Sequence, residues 1–228
     1  MRLWCIFATI VILAAGDGAW AEPTSAIRST GIGEVRVAPE YLEFELDTSF
    51  AGADPATVLG KAKSSEQSLR ASLAQAKLSP TELTFSGVDL APNQGSGGYG
   101  AGITVLARFH ASPFLSSDKG LETLGTFCTE FTALVKALGF QVKALRWGIY
   151  AKGPHETAAL VAAVENAYPQ ADVVANSMNG ALAAVEEVVL SGITWKTATD
   201  AAETQVRVPQ LVCKATLEVT YTFVAVGP

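Results

Sequence analysis

From Leu211 to Val224 the chain alternates without a break. Leu211, Cys213, Ala215, Leu217, Val219, Tyr221 and Phe223 fall on one face of an extended backbone, and Val212, Lys214, Thr216, Glu218, Thr220 and Thr222 on the other. Successive side chains of a strand point to opposite faces, so this period excludes a helix and predicts a long antiparallel strand with one wet face. Such a strand needs neighbours to pair with and an apolar layer to cover it.

Gly31-Ile32-Gly33-Glu34-Val35-Arg36-Val37-Ala38-Pro39-Glu40 supplies a second strand. Val35 and Val37 alternate with Glu34 and Arg36, while Gly31 and Gly33 allow a close backbone approach that a Cβ would hinder. Pro39 has no N–H for a ladder, so pairing should pause there. Tyr41 to Leu46 alternates again directly afterwards, and the two runs read as a hairpin or a bent strand pair.

The clearest helix follows. Asp54 is a good N-cap and Pro55 suits the first helical position. Val58, Ala62, Ser65, Leu69, Leu73 and Ala76 form one stripe, and Ser79-Pro80 ends the element. This helix is expected to cover the opening strand. Leu83 to Leu90 and Ile103 to Phe109 read as strands, joined by a glycine-rich hairpin loop. Gly95, Gly97 and Gly100 in that loop match G-x-G-x-x-G in form only. A dinucleotide site needs a helix N-terminus after the glycines, and a strand follows here.

Asp118 is assigned as the cap of a second helix, whose seam is Leu121, Leu124, Cys128, Phe131, Val135 and Leu138 and whose stop is Gly139. Val142 to Tyr150 is a strand carrying Trp147. An alanine-rich helical region runs from about His155 to Leu182, with Leu160, Val164, Val174 and Met178 among its apolar positions. Tyr168-Pro169 predicts a kink or break in it. Val185 to Trp195 is a strand, and 197–206 reads as a loop. The order is β-β-α-β-β, then α-β-α-β-β. The fold class is α+β, mainly antiparallel sheet with helices packed on one face.

The N-terminus reads as an export signal. Arg2 precedes an apolar run from Leu3 to Ala15, shorter than the roughly 20 residues that span a bilayer as a helix. Ala19-Trp20-Ala21 fits a cleavage site, so residues 1–21 are expected to leave a mature chain of 22–228 that begins at Glu22, with no membrane-spanning segment. Residues 22–228 form one domain, with two β-α-β-β halves at about 27–116 and 117–226. The expected compartment is the periplasm. Export leaves Cys128 and Cys213 in an oxidising compartment, either as a disulfide or as two buried thiols acting as small apolar residues.

The net charge is −6 and no basic run exists, which argues against nucleic acid as a partner. His155-Glu156-Thr157-Ala158-Ala159 lacks the second histidine of a helical zinc site. His110 stands alone at a strand end. Neither a nucleophile elbow nor a phosphate loop occurs. Glu186 and Glu187 are adjacent on a strand and point to opposite faces, so they cannot share a substrate. No catalytic, cofactor-binding or metal-binding residue is assigned, and no cofactor is expected. A small-molecule module, with the Gly95 to Gly102 loop as a lid and Trp147 or Trp195 as a wall, is the alternative.

Three stretches resemble the SIMPL-domain family. Gly31 to Glu40 is similar to its "G-x-G-x-V-x-V-x-P-D" opening. Asn179-Gly180-Ala181-Leu182-Ala183-Ala184-Val185-Glu186-Glu187-Val188 is similar to "A-x-x-x-G-x-x-L-G-x-V-x-x-V". Cys213 to Phe223 is similar to the closing "V-x-V-x-Y-x-L". The chain departs at Tyr168-Pro169 and at Ala183-Ala184, which stands for Leu-Gly. The resemblance implies an α+β fold and an exported, non-enzymatic envelope protein of undefined molecular role. It further implies links to envelope stress and to self-association, hence a homo-oligomer or contacts with other envelope proteins.

Overall fold

The computed structural model describes residues 25–93, 97–115, 119–198 and 208–225. Two antiparallel sheets organise them, each covered by helices on one face. In chain order the elements are β1 (Ser25–Val37), β2 (Tyr41–Gly52), α1 (Pro55–Gln75), β3 (Glu82–Phe85), β4 (Asp89–Pro92) and β5 (Tyr99–His110). There follow α2 (Ser112–Leu115), α3 (Gly120–Ala137), β6 (Gln141–Gly148), α4 (Gly153–Ser177), β7 (Gly180–Thr197) and β8 (Leu211–Ala225). The α+β class with mainly antiparallel sheet is as expected.

The first sheet has the order β3-β5-β2-β6, with β4 also paired to β5. Leu42, Phe44 and Leu46 of β2 and Ile103, Val105, Ala107 and Phe109 of β5 point to one side. There they meet Ala62, Leu69 and Leu73 of α1 and Phe131 and Val135 of α3. Phe44 and Phe131 pack with ring centroids 4.3 Å apart, and Phe109 crosses Phe131 edge to face at 5.2 Å. The local signals for both helices hold. The Thr57 N–H donates to Asp54 Oδ1 at 2.9 Å, and Gly139, at φ +84°, stops α3 where only a residue tolerant of the left-handed region fits well. Asp118 lies outside the described residues, as does most of the 197–206 loop.

The second sheet has the order β1-β8-β7 and is covered by α4. The long alternation is its central strand. Cys213, Ala215, Leu217, Val219 and Tyr221 are buried under the helix. Val35 sits opposite Cys213, Gly33 opposite Ala215 and Gly31 opposite Leu217.

Several expectations are corrected. β1 and β2 are not a hairpin. β1 pairs with β8, and at Pro39 the chain leaves one sheet for the other. For the same reason α4, not α1, covers β1. The segment from Leu83 to Leu90 is two short strands. The halves 27–116 and 117–226 do not correspond to the two layers, because the second sheet joins β1 to β7 and β8. α4 is unbroken through Pro169 and ends at Ser177, after which Asn179 turns left-handed at φ +54°. Proline removes one helical hydrogen bond, and both Pro169 and Glu165, whose carbonyl loses that donor, are exposed to water.

The buried stripe of α4 is also not the predicted one. It consists of Ala159, Ala163, Ala167, Ala171 and Ala175, all fully buried, while Val164, Val174 and Met178 are exposed. The reason lies in β1. A Cβ on Gly31 would stand 2.0 Å from the Ala163 carbonyl oxygen, and one on Gly33 would stand 2.0 Å from that of Ala159. Helix backbone touches strand backbone, and only alanine fits between them. We therefore expect Gly31→Ala and Gly33→Ala each to lower stability by about 1–3 kcal/mol in urea unfolding, the scale of an overpacked contact. Gly60→Ala, on α1 with open space around it, should instead stabilise by about 0.5–1 kcal/mol.

Candidate functional site

The residues singled out by sequence do not converge. His110 is exposed at the end of β5. His155 packs its ring 6.4 Å from that of Trp195, whose Nε1–H donates to Glu156 Oε1 at 2.9 Å. Trp147 lies against Phe114 at the edge of the first core. Among the described residues no group of three His, Cys, Asp or Glu side chains could hold a metal ion.

Cys128 and Cys213 are both free. They belong to different layers: Cys128 lines the first core from α3, and Cys213 lies under α4 in the second. The disulfide, one of the two expected states of this pair, is therefore not formed here, and each thiol packs as a small apolar group. Burial raises the ionisation of both above the ordinary thiol range, helped at Cys213 by the negative charge of Glu156. Neither is a ready nucleophile at neutral pH.

Charged side chains instead brace the outer face of the first sheet. Arg108 Nε donates to Glu43 Oε2 at 2.6 Å and Nη1 to Glu82 Oε2 at 2.5 Å, while its guanidinium lies 4.8 Å from the centre of the Tyr41 ring. Glu43, only 8 % exposed, is thereby paired, and its hydrogen bond holds Arg108 even more firmly protonated. The clamp ties β3, β5 and β2 together. A groove of about 480 Å³ lies beside it, lined by Asp47, Asp89, Thr104, Gln141 and Lys143 among others. Asp47 already accepts from Thr104 Oγ1 at 2.9 Å and faces Lys143 Nζ at 3.6 Å. A second hollow of about 450 Å³ runs along the β4–β5 hairpin. Neither is lined by Trp147 or Trp195. Tyr99 to Gly102, expected to be part of a lid, are strand residues paired with β2 and β4. Residues 94–96 of that loop lie outside the described residues.

The most unusual surface is β7. It is an edge strand of 18 residues. A helix is about 10 Å across and strands are about 4.8 Å apart, so one helix covers about two strands. Seated on β1 and β8, α4 leaves the middle of β7 uncovered. Val185, Val188 and Leu190 lie opposite Tyr221, Val219 and Leu217, on the helix side of the sheet, yet each is about half exposed (52 %, 50 % and 51 %). Val189, on the opposite side, is also exposed. Val164 and Tyr168 of α4 flank the row, with the Tyr168 ring 6.0 Å from Tyr221. An apolar strip beside an unpaired backbone edge is a template for another chain. Its sequence signal was Val188-Val189-Leu190, which does not alternate as a one-face strand should.

The family model for SIMPL, described as a protein of unknown function (DUF541), matches residues 27–223. The chain belongs to the SIMPL family. No curated protein matches the chain. The matched span of the SIMPL protein includes both sheets and every helix, from the glycine strand β1 to β8.

The thiol geometry gives a direct check. A chain of residues 22–228, unfolded without reductant, should titrate two free thiols. In the native state Cys213 should resist alkylation at neutral pH, and its reaction should accelerate only above the usual thiol range. A count of no free thiols would restore the disulfide.

Proposed function

We propose that this SIMPL protein is an exported, non-enzymatic component of the cell envelope that works by protein–protein contact along β7. The single observation that carries the reading is the bare β7 edge with Val185, Val188 and Leu190 exposed beside it. Soluble proteins normally blunt or cover such an edge, because its free N–H and C=O groups accept another strand. Export is supported by the apolar run after Arg2 and by Ala19-Trp20-Ala21. No helix of the described residues is long and apolar enough to cross a membrane. The engaged charges of the Arg108 clamp and the raised ionisation of both thiols support a contact role over a reaction centre.

Two measurements test the proposal. N-terminal sequencing of protein from the periplasmic fraction should begin at Glu22; a chain retained in the cytoplasm with Met1 intact would overturn export. A photo-crosslinker at Val188 in intact cells should form protein adducts, and the same group at Lys63 on α1 should not. Equal yields at the two positions would remove β7 as the contact surface.

A further inference from the structure

Paired charges close the outer face of the first sheet along most of its length. On β2 the carboxylates of Glu43, Glu45 and Asp47 meet Arg108, Arg146 and Lys143 of the neighbouring strands. Beyond Asp47 this lining stops. Gly102 of β5 stands between Asp89 of β4 and Ser49 of β2, all three in register. Its chain neighbours Ala101 and Ile103 are buried, so Gly102 faces outward. A Cβ there would meet no atom within 4 Å. The hollow over Gly102 is a side chain missing from the middle of the face.

The walls follow from the strands on either side. Between the Phe85–Val105 and Asp89–Gly102 pairs, residues 86–88 stand against 103–104, one residue more, so the sheet edge bends there. Within the bend Ser86 Oγ accepts the Thr104 N–H at 2.9 Å, which fastens that wall to β5. On the other side Asp47 stands in register with both Thr104 and Gln141. The groove of about 480 Å³ and the hollow of about 450 Å³ share Ser49, Asp89 and Gly102, so they form one trough. Its size is that of a small-ligand site.

The polar groups around Gly102 select the ligand. Asp47 is held by Thr104 and Lys143. Among the described residues the side chains of Asp89, Ser49 and Gln141 have no hydrogen bond or ion pair. An unpaired carboxylate calls for a cation, and a free hydroxyl and amide call for neutral donors and acceptors. We propose that the trough binds a short chain of amino sugars, with an ammonium group on Asp89 and ring hydroxyls on Ser49 and Gln141. A neutral sugar leaves the carboxylate unmatched, and a simple polyamine leaves the hydroxyl and the amide unmatched. The trough lies on the other sheet from β7, so it stands or falls apart from contact along that edge.

The test is isothermal titration calorimetry on a chain of residues 22–228, with the glucosamine trimer as probe in slightly acidic buffer, where its amines are charged. Wild type should bind it. The N-acetylated trimer, which keeps the hydroxyls without the charge, and spermidine, which keeps charge without hydroxyls, should each bind about tenfold more weakly or worse. Gly102→Val leaves the net charge unchanged and fills the hollow, so it should abolish binding. Valine suits a strand, and the circular dichroism spectrum and urea midpoint should stay as in wild type. Asp89→Asn should weaken binding of the glucosamine trimer by about tenfold and leave that of the N-acetylated trimer unchanged. No binding by wild type, or equal binding by Gly102→Val, would overturn the site. Spermidine binding as tightly as the sugar would overturn the choice of ligand. If Gly102→Val lowers the urea midpoint, Asp89→Asn decides, and an unchanged affinity there overturns the proposal.

Discussion

The contact between the glycines of β1 and the alanines of α4 governs this molecule. With no Cβ at Gly31 or Gly33, the helix carbonyls of Ala163 and Ala159 come down onto the strand. The interface is thin, so each alanine buries little area, but five successive turns contribute and all five side chains are fully buried. Close seating also fixes where the helix lies across the sheet. It spans β1 and β8 and cannot also reach the middle of β7. The exposed apolar strip follows from the same glycines.

The two layers are built on different economies of size. In the first, Phe44, Phe109, Phe127 and Phe131 interlock, and α1 and α3 stand off the sheet by the thickness of large side chains. Two helices are then needed to cover the strands. In the second, one helix rests almost directly on the sheet. Charges reinforce the first layer from outside through Arg108, Glu43 and Glu82, while the outer face of the second carries looser pairs such as Arg28 with Glu218 at 3.3 Å. Pairs of that kind are solvated and contribute little alone.

Local signals were readable and partners were not. Asp54 with Pro55, the α3 seam with Gly139, and the alternation of β8 each state their structure within a few residues. The partner of Gly31 to Val37 lies nearly the whole chain away, and nothing near Pro39 distinguishes a hairpin from a change of sheet. The stripe of α4 was missed because valine, leucine and methionine outrank alanine as core residues. The cue was in β1, where two glycines on one face called for small partners. Pro169 predicts a kink or break because sequence alone does not reveal that its side of the helix faces water. The candidate surface was hidden for a related reason: Val185, Val188 and Leu190 look like core, and only the limited breadth of α4 leaves them outside. The family, by contrast, was legible from β1, the start of β7 and β8 together.

The strand at the centre of the second sheet is β8, which is made after both of its neighbours. Until Leu211 to Ala225 has emerged, β1 and β7 have nothing to pair with, and α4, which leads into β7, has no finished floor to rest on. The contacts that close this layer join residues almost as far apart in sequence as the chain allows, which makes its formation slow and late. The first layer, drawn from one continuous middle segment, can form earlier. A chain cut short before Leu211 would therefore hold one finished layer and two orphaned strands with unpaired edges. The position of its central strand makes completion of the second sheet a readout of whether the chain itself is complete.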